Sequence, residues 1–125
     1  MFLNFSNHPS AGWSAEQLAA AGQYGEIRDL PFPAVPPEWE IDHVCALAET
    51  LFQKMLDLRP DAVFCQGEMT LTYQLVKRLS AAGIPALCAC SNRITEETQL
   101  PDGSTQKLSR FVFCGFRRYE SADCT

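Results

Sequence analysis

The chain has neither a Walker lysine motif nor G-x-G-x-x-G, so both common nucleotide fingerprints are missing. It has only two histidines and no C-x-x-C pair, which argues against a zinc site and leaves no cofactor expected. No apolar run approaches the roughly 20 residues that a membrane-spanning helix requires. The first residues, M-F-L-N-F-S-N-H-P-S, lack the basic region of a secretory signal, and a cytoplasmic location is expected. Positive charge is also scarce. A net charge of −5 speaks against the basic stripe with which proteins track long DNA or RNA.

What the chain does have is 46% hydrophobic and 20% charged residues over 125 positions, the balance of one globular domain. That domain is expected over residues 1–119, with a flexible tail at 120–125. The charge is uneven. Residues 1–62 carry nine acids and three bases, whereas residues 63–125 carry six acids and seven bases, among them Arg93, Lys107, Arg110, Arg117 and Arg118. A small anionic ligand therefore suits the second half. Cys65, Cys88, Cys90 and Cys114 fall within apolar, strand-like runs, where free cysteines act as small core residues. They are read as reduced thiols of a cytoplasmic protein.

The pattern of elements is regular. Met1–Phe5 reads as a first strand, stopped at Pro9, which cannot donate to a ladder. Ser14 followed by Gln17 fits a capping box for a helix that ends by Gly25. Glu26–Leu30 reads as a second strand, and P-F-P-A-V-P-P as an extended connection. Ile41, Val44, Cys45, Ala48, Leu51, Phe52 and Met55 line one face of a helix spanning about Trp39 to Leu58. Ala62–Cys65 is the third strand, and Leu71, Leu75, Leu79 and Ala82 stripe the helix that follows. Ile84–Cys90 is the fourth strand. Asp102-Gly103 marks a turn into an antiparallel fifth strand over L-S-R-F-V-F-C-G-F-R. Strands alternating with helices predict an α/β fold with a mostly parallel sheet wound on both faces, in order 2-1-3-4-5.

Ligands of such sheets collect beyond the carboxyl ends of the strands, where the winding reverses. Three polar segments are expected to meet there: the loop of Ser6, Asn7, His8 and Ser10; Gln66, Gly67, Glu68 and Thr70; and Ser91, Asn92 and Arg93 after the fourth strand. Gly67 would let backbone approach a ligand closely. Free N–H groups at the Thr70 helix start would suit a phosphate, although Glu68 would repel one. The plain alternative is a strand-to-helix turn in which Glu68 offsets the helix dipole and Thr70 caps. His8 is suited to acid–base work near neutrality. Arg93 is suited to bidentate phosphate binding or to a salt bridge with Glu96 or Glu97. Trp13 and Tyr73 serve either as stacking surfaces or as core.

The opening F-L-N-F-S-N-H-P-S with Trp13, the mid-chain Q-G-E-M-T, and the closing D-G-S-T-Q-K and F-R-R-Y resemble the small CRISPR-associated accessory proteins of type III systems. The resemblance spans most of the chain. It implies a compact Rossmann-like, CARF-like domain that acts as a homodimer on cyclic oligoadenylate, chiefly cyclic tetraadenylate. It also implies metal-independent ring cleavage by attack of a ribose 2′-hydroxyl. His8, Glu68 and Arg93 would then be catalytic, and Ser6, Asn7, Ser10, Gln66, Gly67, Thr70, Ser91 and Asn92 would hold the ligand. A non-catalytic sensor or sponge for the same messenger, and a protein-interaction subunit, are the alternatives.

Overall fold

A computed structural model describes residues 1–121. The elements run β1 (Phe2–Ser6), a single 3-10 turn (Ser10–Gly12), α1 (Ala15–Gly22), β2 (Ile27–Asp29), α2 (Ile41–Leu58), β3 (Ala62–Gln66), α3 (Met69–Ala81), β4 (Ala86–Gln99) and β5 (Thr105–Arg118). They form one Rossmann-like sheet in the order β2-β1-β3-β4-β5. β2, β1, β3 and β4 are parallel, and β5 pairs antiparallel with β4. No helix among the described residues is long and apolar enough to cross a membrane. Most of the tail expected at 120–125 lies outside the described residues.

The two sheet faces separate by strand alternation. Leu3, Phe5, Val63, Cys65 and Ala86 point to the face covered by α2 and α3. There they meet Val44, Ala48 and Met55 of α2 and Leu71, Leu75 and Leu79 of α3, all buried. Fully burying each such leucine contributes about 1.5–3 kcal/mol. Ile41, expected on the apolar stripe of α2, is instead exposed as the first residue of the helix. Phe2, Ala62, Phe64 and Leu87 face the other way, onto Trp13 and Ala21. Among the described residues α1 is the one helix on this second face, joined by Trp13 from the segment before it.

The caps follow the sequence closely. Ser14 accepts a hydrogen bond from the Gln17 N–H at 3.2 Å, starting α1. α1 ends at Gly22, three residues before the expected stop, and Gly25 makes the turn at φ +117°. α2 starts at Ile41 rather than Trp39 and ends at Leu58, capped by Arg59 in the left-handed region at φ 53°. Pro60 follows and prevents continuation.

One boundary differs substantially. Ser91, Asn92 and Arg93 were expected in a loop after the fourth strand, but β4 runs through them to Gln99. The cross-strand ladder, from Ser91 opposite Phe113 to Gln99 opposite Thr105, supplies the reason. Pairing satisfies the backbone of both strands, so polar side chains are tolerated on a ribbon that meets water. The turn closes at Gly103, φ +87°, where Asp102 accepts from the Ser104 N–H at 2.9 Å.

Candidate functional site

β1 and β3 pair in register from Phe2 opposite Ala62 to Ser6 opposite Gln66, so their carboxyl ends lie level. A cleft of about 860 Å³ opens beside those ends, on the face covered by α1. Its polar lining includes His8 from the loop after β1, Gln66 from the end of β3, and Ser91 from β4. Ser14 and Gln17 of the α1 start add to it. Trp13, Phe64, Phe111 and Phe113 supply aromatic surface. His8 is thus the one ionisable side chain in the lining.

The loop bearing His8 is fixed through its backbone. Asn4 is a buried polar residue in the middle of β1, 2% exposed. Its amide donates to the His8 carbonyl at 2.9 Å and to Asp29 at 3.1 Å. Its own oxygen accepts from the Ser6 hydroxyl at 2.7 Å. The Trp13 indole N–H donates to the same His8 carbonyl at 3.1 Å, and the Ser10 N–H donates to Asp29. Burial pushes the Asp29 carboxyl up, but the bonds from Asn4 and Ser10 outweigh it and hold the group below its ordinary value. Ser6 and Ser10 are therefore parts of the scaffold, while the exposed His8 side chain faces the cleft. Asn7 is exposed in the same loop.

The Gln-Gly-Glu segment divides into different roles. The Gln66 side-chain oxygen accepts from the Ala89 N–H at 2.9 Å, bridging β3 to β4 and leaving its amide N–H groups unpaired among the described residues. Gly67 is needed for packing. A Cβ there would lie 2.5 Å from the Phe32 ring, which itself packs 4.7 Å from Phe5. Glu68 is the N-cap of α3. Its carboxylate accepts from the Thr70 N–H at 3.0 Å, the Leu71 N–H at 2.9 Å and the Thr70 hydroxyl. The Leu71 N–H bond chiefly holds this carboxyl below its ordinary value; burial opposes it, and the Thr70 bonds add to the lowering. Thr70 receives no capping role of its own. Two of the helix-start N–H groups expected to meet a phosphate, those of Thr70 and Leu71, are thus already paired, and the Gly67 N–H before them goes to the Thr72 hydroxyl. Neither Glu68 nor Thr70 lines the cleft.

On β4, Ser91 and Arg93 share one face by alternation, and Asn92 lies on the opposite one. Arg93 pairs across the ribbon with Phe111. Glu96 and Glu97 are taken by Arg110 and Lys107, and among the described residues Arg93 bonds only the Ser109 hydroxyl, at 3.4 Å. A second, apolar groove of about 330 Å³ lies beyond Gln66, between Met69, Tyr73, Val76 and Tyr119. Cys65 is fully buried, and burial pushes its thiol up to about 12, which disfavours the thiolate. Among the described residues no three His, Cys, Asp or Glu side chains gather as a metal site.

Phe111, Phe113 and Gln17 are cleft residues that the sequence reading did not place there. The available signal for the two phenylalanines was the F-V-F alternation at 111–113. A family model described as "Uncharacterized protein MJ1673 family" matches residues 1–117. No curated protein and no solved structure matches the chain. The match takes in every strand and helix but the last residue of β5, and the chain belongs to the MJ1673 family.

Proposed function

We propose that the protein is a ring nuclease that opens cyclic oligoadenylate, chiefly cyclic tetraadenylate, in the cytoplasm. The observation that carries this reading is the large cleft at the level carboxyl ends of β1 and β3, where aromatic surface meets His8, Gln66 and Ser91. Aromatic rings suit adenine bases, and the neighbouring Arg93 suits a phosphate. In this reading the 2′-hydroxyl of one ribose attacks its adjacent phosphorus in line. The bond to the 5′-oxygen breaks, and a 2′,3′-cyclic phosphate remains. His8 takes the 2′-hydroxyl proton or returns one to the departing 5′-oxygen. Holding the ribose in line supplies much of the acceleration. A homodimer suits a ring of four nucleotides, since a two-fold pair of clefts matches its symmetry.

The test is incubation of the full chain with a panel of cyclic oligoadenylates in EDTA, with products resolved by chromatography. Linear products ending in 2′,3′-cyclic phosphate are expected, and His8→Ala should slow their formation by about 10²–10⁴-fold. A second reading, a sensor or sponge for the same messenger, draws on one observation. Glu68 and Thr70 are bound to each other at the α3 start, which leaves His8 without a second acid–base group in the lining. Tight binding of an intact ring would favour it. Neither binding nor cleavage would remove both readings.

A further inference from the structure

We propose that Phe111 is the base-stacking residue of the cleft and that Arg93, directly across the ribbon from it, holds the adjoining phosphate. The inference rests on the nucleotide reading above. Four phenylalanines form a row along the sheet face that carries the cleft. Phe64 lies 5.3 Å from Phe116 between ring centroids, and Phe116 lies 5.0 Å from Phe113. Phe111 is the next position outward on that face, and both Phe111 and Phe113 line the cleft.

The row changes character at its end. Phe64 is 2% exposed, whereas Phe111 is 75% exposed and has no ring partner among the described residues. A large aromatic placed at a cleft mouth in this way presents a face to whatever enters. Its cross-strand neighbour is Arg93, with side chains about 5 Å apart at Cβ in such a pair. That guanidinium has no carboxylate partner among the described residues, where Glu96 and Glu97 are committed to Arg110 and Lys107. On the inner wall, Gln66 is oriented by the Ala89 N–H so that its amide presents donors. A flat ring, a free cation and an amide donor together match a planar base, its phosphate and a ring nitrogen. An apolar ligand would leave Arg93 unused, and an inorganic anion would leave Phe111 unused.

The experiment is calorimetric titration of the full chain with cyclic tetraadenylate, comparing wild type with Phe111→Ala, Phe111→Leu and Phe111→Trp. Because Phe111 is exposed, all three should unfold at the wild-type denaturant concentration. Phe111→Ala and Phe111→Leu should weaken binding by about 5- to 150-fold, and Phe111→Trp should keep it within about threefold. Arg93→Ala should weaken binding and flatten its salt dependence. Wild-type binding that persists unchanged in Phe111→Ala and Phe111→Leu overturns the stacking role and leaves the nucleotide reading standing. Wild type that fails to bind the ring overturns both.

Discussion

Gly67→Ala separates packing from ligand approach at the turn between β3 and α3. The new Cβ would stand 2.5 Å from one Phe32 ring carbon and 2.6 Å from two others. Carbon atoms in contact prefer about 3.5–4.0 Å, so the ring has to retreat by about 1 Å. Retreat opens its contact with Phe5, 4.7 Å away between centroids. Overpacking of this kind costs about 1–3 kcal/mol. The backbone itself offers no objection, because Gly67 is not among the residues with positive φ. Without the clash, glycine to alanine would stabilise by about 0.4–1 kcal/mol through the unfolded chain. The sign should therefore reverse with context. In urea, Gly67→Ala should lower the unfolding midpoint by about 1 M, given slopes of about 1–3 kcal/mol/M. In a Phe32→Ala background, the same change should be neutral or stabilising. An equal loss in both backgrounds would refute Phe32 as the cause. Normal stability with lost ligand binding would return Gly67 to the role of admitting a ligand.

Two further outcomes follow from the loops around the cleft. Glu68→Ala removes the acceptor for the Thr70 and Leu71 N–H groups and should cost about 1 kcal/mol at neutral pH. The folded carboxyl titrates below its ordinary value, so its contribution is present above that range and lost as pH falls through the folded pKa. The gap between wild type and Glu68→Ala in urea unfolding should close in acid; a gap independent of pH would contradict the cap. Asn4→Ala strips the His8 carbonyl, Ser6 and Asp29 of a shared partner in a buried place and should cost about 1–3 kcal/mol. Hydrogen exchange at the Trp13 indole should quicken with it, since that N–H bonds the same carbonyl; unchanged exchange would show that the loop does not depend on Asn4.

The sheet was legible because each strand run is bounded by a turn residue and each helix has a clear apolar stripe. Strand order followed from the handedness of parallel crossovers. Ser14 announced its helix correctly. The Gln-Gly-Glu turn was harder, because a carboxylate at a helix start reads equally as a cap or as a ligand contact. Only the bond lengths to Thr70 and Leu71 decide for the cap. Gly67 was illegible for another reason: its neighbour Phe32 is 35 positions earlier in the chain, in a proline-rich connection with no pattern of its own. The long ribbon was missed because pairing, rather than side-chain hydrophobicity, holds residues 91–99 in β4.

The cleft lining shows how one residue can change what alternation predicts. Phe113 and Phe116 are three positions apart, so an unbroken strand would send them to opposite faces. The ladder, however, steps from Cys90 opposite Gly115 to Ser91 opposite Phe113, leaving Cys114 as an extra residue in β5. A bulge of this kind rephases everything beyond it. It brings Phe113 onto the face of Phe116, 5.0 Å between ring centroids, and carries Phe111 along. β4 has no matching insertion, so Ala89, Ser91 and Arg93 keep one face throughout. The bulge therefore joins two independent alternations, the polar one of β4 and the aromatic one of β5, into a single wall. Without Cys114 the outer phenylalanines would face away from His8 and Gln66, and the cleft would lose its aromatic side.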